Sequence, residues 1–327
     1  MPDALRGCRV LVLGGLGFIG SNLVIRLVAE GACVTVIDSC LAGHGGRIEN
    51  LDPVRDLVRI VAEDIRRQDV LTEQVREQDL IFSLAAQVSH IGSMTDPLTD
   101  FDINCRSQLA LLEACRSLNP TVRIVYASTR QLYGRAQRLP LDESHPIVPV
   151  DVNGVSKRAA EMFYELYART YGLHSVCLRL TNTYGPRLNL HGDSTGFLGV
   201  FLSRALQNQP IDIFGDGAQR RDFNYVADVV DALVLAATCD GVLGQSWNLG
   251  HVQQNSILDV AMALQRLTGV PIRTIPFPPD RALIELGDSY CDFHRFQAAT
   301  GWKPRVDLES GLKQTLAFFT NISTEAA

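Results

Sequence analysis

Apolar and polar positions follow two rhythms along this chain. The stretch opening at Arg9 runs apolar through Leu13, which suits a buried strand. Leu23, Val24, Leu27 and Val28 then recur at helical spacing, and Gly31 ends that helix. Cys33 to Asp38 reads as a second strand ending in an acid. Leu57 to Ala62 reads as a third, and Val70 to Gln78 as a helix. Asp79 to Ala86 is a fourth strand with small residues at its end. Asp102 to Leu118 is a long helical pattern, with Leu109, Leu112 and Cys115 among its apolar positions. Val122 to Thr129 is a fifth strand ending in hydroxyls. A loop bearing Pro140, Pro146 and Pro149 precedes a helix over Asp151 to Tyr171 and a sixth strand over His174 to Leu180. This alternation has the spacing of βαβ units. It predicts a parallel, doubly wound α/β domain over residues 1–180, with the strand ends on one edge.

The rest is less regular. Thr183 to Gly196 is a loop with Pro186 and Gly192, Gly199 to Gln207 looks helical, and Asp212 to Gly217 suggests a strand and turn. Tyr225 to Cys239 and Ile257 to Thr268 predict helices, and Gln245 to Gly250 a short strand. Ile272 to Phe277 is a strand candidate ended by Pro278 and Pro279. Phe293 to Gly301 and Leu308 to Phe319 are the last helical segments, before a frayed end at Ala326 and Ala327. Residues 181–327 are expected to form mainly a smaller α/β substrate domain that closes over the strand edge, with segments around 215–250 returning to the first domain.

One motif organises the chain. Gly14, Gly17 and Gly20 stand at three-residue spacing between the first strand and the first helix. That context suits a dinucleotide site: Gly14 for the tight turn, Gly17 for approach of a pyrophosphate, Gly20 for close helix packing. The diphosphate would sit on the N–H groups of the helix N-terminus. Asp38 can accept both ribose hydroxyls of NAD and would repel the extra phosphate of NADP. Glu63, Asp64, Ile65 and Arg66 come after the third strand, where an acid with an apolar neighbour suits the edge of adenine. The loop from Leu41 to Arg47 could lie over the adenosine side or be an ordinary connection.

Composition narrows the class. The chain has 327 residues, 46% hydrophobic and 20% charged, as expected of a soluble globular protein. A formal net charge of -6 disfavours a general nucleic-acid binder. None of the 8 cysteines falls in a CxxC pair, which suits a reduced, cytoplasmic compartment. No run reaches the length of a membrane span, and the N-terminus lacks the pattern of a signal peptide. The seven histidines are scattered without HExxH or a cysteine cluster, so no metal is expected. There is no GxSxG elbow and no P-loop.

Several residues could do chemistry at the strand edge. Ser128 and Thr129 could hydrogen-bond a substrate alcohol or ketone, or cap the backbone. Lys157 could hold nicotinamide ribose hydroxyls and lower the pKa of a neighbouring acid-base group, or lie on the surface. Arg179, Arg187, Arg220 and Arg221 are candidate phosphate ligands, Arg221 with added weight from Gly215 to Gly217 before it.

The whole resembles the extended short-chain dehydrogenase/reductase family, in its branch of nucleotide-sugar epimerases and dehydratases. The matching stretches are Gly14 to Gly20, Glu63 to Arg66, Ala85 to His90, Ala127 to Gly134, Arg179 to Pro186 and Gly215 to Val226. The resemblance implies a Rossmann-type fold and an NAD cofactor. It implies cofactor contacts at Gly14, Gly17, Phe18, Ile19, Gly20, Asp38, Asp64, Ile65, Ala85, Ala86 and Lys157. Thr129 would be the catalytic hydroxyl. Asn182 and Arg221 would meet the nucleotide diphosphate of a sugar substrate, with Ser128, Arg130 and Arg187 as further contacts. His90 and Ser93 match positions on the sugar side. A homodimer through the helices Asp102 to Leu118 and Asp151 to Tyr171 is implied as well.

Two departures from the family pattern shape the expected reaction. The family tyrosine, four residues before the lysine, is here Asn153. A carboxamide has no proton to give near neutral pH and cannot act as the base. Thr129 through water, His90 or a substrate group are the alternatives, and an imidazole has the most suitable ordinary pKa. The Asp-Glu pair of the 4,6-dehydratases is replaced by Arg130 and Gln131. Dehydration and decarboxylation of the familiar kind are therefore disfavoured. The expectation is a 4-epimerase of a UDP-hexose-like sugar with a non-tyrosine base. A dehydratase, decarboxylase or net oxidoreductase of unusual mechanism, and a degenerate binding protein, are the rivals.

Overall fold

The computed structural model describes residues 4–41, 43–190, 195–279 and 284–325. Gly192 and the frayed end expected at Ala326 and Ala327 lie outside them. The strands are β1 (Arg9–Leu13), β2 (Cys33–Ile37), β3 (Arg59–Val61), β4 (Leu80–Ser83), β5 (Arg123–Thr129), β6 (His174–Leu180), β7 (Asn182–Tyr184), β8 (Ile211–Phe214), β9 (Arg220–Tyr225), β10 (Ser246–Asn248), β11 (Gln254–Ser256) and β12 (Ile272–Ile275). The helices are α1 (Phe18–Ala29), α2 (Gln68–Gln74), α3 (His90–Thr95), α4 (Pro97–Phe101), α5 (Ser107–Leu118), α6 (Val152–Tyr171), α7 (Phe197–Leu206), α8 (Val226–Thr238), α9 (Ile257–Thr268), α10 (His294–Thr300) and α11 (Leu308–Glu325).

Seven strands form one parallel sheet in the order β10-β6-β5-β4-β1-β2-β3. The order reverses between β1 and β4, which opens a crevice at their carboxyl ends. Strand periodicity explains why both faces are covered. Val10 and Val12 enter one core with Leu23, Leu27 and Leu233, while Leu11 and Leu13 enter the other with Leu111, Leu112 and Tyr164. The doubly wound α/β class read from the sequence is therefore met. Smaller sheets, β11-β9-β7 and β12-β8, lie in the second half around a separate core that includes Phe201, Ile211, Phe223 and Leu264. The late strand β10 pairs with β6, and its Trp247 is buried in the first core.

The structure departs from the expected elements in three places. The helix expected at Asp102 begins earlier, with Asp96 capping the Thr99 N–H and Pro97 in the first turn. It then widens into a π turn over Asp102–Arg106 before α5, a local insertion that apolar spacing does not reveal. The short helix α3 was not expected. Its cap is Ser89, whose hydroxyl accepts the Gly92 N–H. Strands β7, β9 and β11 were not expected either. Most of β9 is polar in sequence yet buried, because Arg221, Asp222 and Asn224 have partners inside the fold.

Candidate active site

The crevice holds a cleft of about 240 Å³, lined by Gly14, Gly17, Asp38, Asp64, Ala85 and Ala127 among others. Phe18, Ile19, Gly20, Ile65 and Ala86 also line it, so the cofactor positions expected from sequence, Lys157 apart, converge on one space. Backbone geometry explains the glycines. Gly14 has φ +79, and a Cβ there would stand 2.6 Å from the Ala85 nitrogen. A Cβ on Gly20 would collide with the Gly14 oxygen. Gly17 begins α1 without a side-chain cap, so the first-turn N–H groups face the cleft unscreened.

Asp38 ends β2 with its carboxylate held by backbone. Oδ2 accepts the Leu16 N–H at 3.0 Å and Oδ1 the Cys40 N–H at 2.9 Å. Burial raises its pKa and outweighs these N–H groups, which pull it down. Gly46 closes over it, since a Cβ at that position would lie 2.8 Å from Oδ1. The loop from Leu41 therefore covers this end through Leu41, His44, Gly45 and Gly46, all on the cleft wall. Asp64 is opposed by burial but held low overall by the Arg66 guanidinium, 2.6 Å away.

Beyond Ala127 lies a polar cluster. Lys157 Nζ donates to the Ala127 carbonyl at 3.0 Å. Thr129 Oγ1 accepts the Gln131 N–H at 3.1 Å, and Ser128 Oγ is buried with no partner in the protein. Asn153 donates to the Gln87 carbonyl at 2.8 Å and to Asp100 Oδ2 at 3.2 Å. Asn104 donates to the same two oxygens. The second oxygen of Asp100 and the side-chain oxygens of Gln87 and Asn104 remain buried and unpartnered. His90 Nδ1 lies 2.9 Å from Asp151 Oδ2, while Ser93 donates to the His90 carbonyl at 2.7 Å. Asp151 also accepts from Gln131 at 3.0 Å and caps α6 through the Gly154 N–H. Burial raises the Asp151 pKa, but His90 and those donors bring it below the ordinary value.

A second polar cluster joins distant segments. Arg130 donates to Ser289 Oγ at 2.5 Å and to Asn182 Oδ1 at 3.2 Å. Asn182 in turn donates to the Asp222 carbonyl. Arg221 reaches Glu285 at 2.7 Å, and burial lowers its pKa. Arg130, Asn182 and Arg221 are thus neighbours. Arg187 stands apart: it bonds the Asn50 carbonyl and Asn22 Oδ1 and stacks over Phe318. Arg179 is not at the cleft either. It is buried against Glu161 and Tyr133, a fixed internal pair rather than a phosphate ligand.

Sequence reasoning missed Asp100, Asn104, Asp151, Asp222, Glu285 and Ser289 as members of these clusters. Asp151 carried a signal, since an acid directly before a helical pattern is a cap candidate. Glu285 and Ser289 carried none, because only the tertiary fold brings them to β9.

Residues 10–250 match the model of the NAD dependent epimerase/dehydratase family. The chain belongs to that family. It is an NAD-dependent enzyme of the nucleotide-sugar branch, and the glycine loop, Asp38 and the cleft fit the cofactor. The UDP-glucose 4-epimerase of Mycolicibacterium smegmatis is 35% identical over 96% of this chain and 99% of that one. The solved UDP-glucose 4-epimerase of Thermus thermophilus, in complex with NAD, superposes with TM-score 0.85 at 33% identity, covering 95% of this chain and 99% of that one. UDP-glucuronic acid decarboxylase 1 of Xenopus tropicalis is 29% identical over 95% of this chain and 72% of that one. Among the described residues, no helix is long and apolar enough to cross a membrane.

Proposed function

We propose that the protein is a 4-epimerase of a UDP-hexose or similar nucleotide sugar, in which Asn153 stands where the family has its tyrosine. The observation that carries the reading is the pair of residues directly after the strand-end hydroxyls of β5. Arg130 is bound to Asn182 and Ser289, and Gln131 donates to Asp151. Neither residue is an acid able to drive loss of water or of carboxyl. The similarity to UDP-glucose 4-epimerases supports the same choice.

Bound NAD supplies a hydride acceptor that later returns the hydride. The chain's residues do the rest. Gly17 and the start of α1 receive the diphosphate of the cofactor, Asp38 its adenine ribose, and Asp64 with Ile65 its adenine. Lys157 holds the nicotinamide ribose, and Thr129 orients the sugar hydroxyl. Arg130, Asn182 and Arg221 fix the nucleotide diphosphate of the substrate, with Ser93 and Ser128 on the sugar side. Asn153, already committed to Gln87 and Asp100, positions rather than transfers protons.

Residues 1–180 form the cofactor domain in this reading, and residues 181–327 mainly the substrate domain. A homodimer is supported by apolar side chains left exposed on two adjacent helices: Leu98 and Phe101 on α4, and Val155, Met162 and Leu166 on α6. The eight free thiols accord with a reducing, cytoplasmic setting.

The test is incubation of the NAD-loaded protein with UDP-glucose, UDP-galactose and their uronic and N-acetyl forms. NMR is expected to reveal inversion at one sugar carbon with unchanged mass. Loss of water or of carbon dioxide overturns the reaction type. Binding of these sugars without any exchange overturns catalysis and leaves a binding protein.

A further inference from the structure

We propose that His90, held by Asp151, is the acid-base group of this enzyme. The inference rests on the epimerase reading and names the residue that moves the proton there.

The geometry is that of an imidazole placed against a buried carboxylate. Asp151 is fully buried, whereas the His90 side chain is 40% exposed. Nδ1 stands 2.9 Å from Asp151 Oδ2 but is not aligned as a hydrogen bond, so a small turn of the ring is needed to set the Nδ1 hydrogen on that oxygen and leave Nε2 with its lone pair. Asp151 cannot turn away, because Gln131 and the Gly154 N–H hold its two oxygens. The same Gln131 gives its backbone N–H to Thr129, so one residue touches both Asp151 and the strand-end hydroxyl. Val88, two residues before His90, lies on the cleft wall.

The location matters as well. Asp151 is two residues from Asn153 in the first turn of α6. The dyad therefore stands beside the position where a phenol is missing. Asp100 on α4, which accepts from Asn153, and Lys157 on α6, which feels the Asp100 charge, are both buried nearby.

With NAD bound as the two-electron acceptor and donor, His90 Nε2 would take the proton of the sugar O4–H when C4–O4 is oxidised to a carbonyl, and would give it back to O4 when that carbonyl is reduced. No other oxidant or base is needed.

Asp151 is a positioning residue here, and three proteins test the pair: wild type, His90→Gln and Asp151→Asn. Asn retains helix-capping ability, so the second variant is expected to fold. In the full-length protein labelled with ¹⁵N-histidine, His90 is expected to be protonated at Nδ1, and Asp151→Asn is expected to erase that preference. In single turnovers with UDP-glucose, His90→Gln is expected to slow formation of reduced cofactor by about 100-fold or more. UDP-glucose affinity, read by calorimetry, is expected to stay within about threefold, under 1 kcal/mol. The dependence of the rate on pH is expected to differ from that of the wild type. A proton on Nε2 in the wild type, or a His90→Gln variant with wild-type rate and pH profile, overturns the dyad. Wild-type protein inert toward every nucleotide sugar instead overturns the epimerase reading, with the catalytic role of His90 falling alongside it.

Discussion

Lys157 Nζ donates to the carbonyl oxygen of Ala127 at 3.0 Å and lies 4.9 Å from the centre of the Tyr126 ring. Burial lowers its pKa from 10.5 to about 8, although Asp100 and Glu161 pull the other way. The folded protein therefore holds this proton less tightly than the unfolded chain does. Stability from this group rises as pH climbs from about 8 towards 10.5. The difference in urea midpoint between wild type and Lys157→Met is expected to move in favour of the wild type across that window. Parallel pH profiles for the two proteins contradict this.

Asp222 titrates in the opposite sense. It is fully buried, and desolvation pushes its pKa from 3.8 up to about 6 against the pull of Arg130. Its proton is bound more tightly in the fold, so its contribution is complete below 3.8 and is lost as pH rises through about 6. Asp222→Asn, which can still accept the Cys291 N–H, is expected to gain on the wild type as pH rises through that range. Thermal unfolding at stepped pH measures it.

Gly20→Ala tests the glycine loop. The new methyl would collide with the Gly14 oxygen, which forces α1 away from the turn. A loss of about 1 to 3 kcal/mol is expected from such overpacking. Dissociation of NAD is expected to be at least about tenfold easier, equivalent to about 1.4 kcal/mol. Denaturant titration and calorimetry separate the two effects. Wild-type NAD affinity in the variant argues that the loop does not carry the diphosphate.

Met162→Glu tests the proposed dimer. Val155, Met162 and Leu166 fall on one face of α6, and Val155 and Met162 are 56% and 55% accessible in the single chain. Sedimentation is expected to find a dimer for the wild type and a monomer for the variant, with unchanged circular dichroism. A wild-type monomer at high concentration refutes the interface.

The parallel sheet was legible because its strands are apolar on both faces and its helices have one apolar stripe. His174–Leu180 and Ile257–Thr268 fall where hydrophobic spacing puts them. The glycine loop was legible because its backbone demands are local. β9 was not, since Arg220 to Tyr225 has the letters of a surface segment and is buried only through partners far away in sequence. The π turn at Asp102–Arg106 was hidden because it adds hydrogen-bond slack without changing residue type. At the site, the sequence supplied Thr129 at the end of the fifth strand, and Asn153 with Lys157 from one short stretch of the next helix. It could not supply the pairing of His90 with Asp151, which are 61 positions apart (151 − 90) and meet only when α3 packs on α6.

The edge strand β10 has a consequence for biosynthesis. Its partner β6 is finished by Leu180, but Ser246–Asn248 is made more than sixty residues later. Until then a nascent chain leaving the ribosome carries an open β6 edge, and Tyr133 lacks the Asn248 side chain that receives its hydroxyl. A chain released before residue 246 would therefore present β6, rather than β10, as the edge of its sheet.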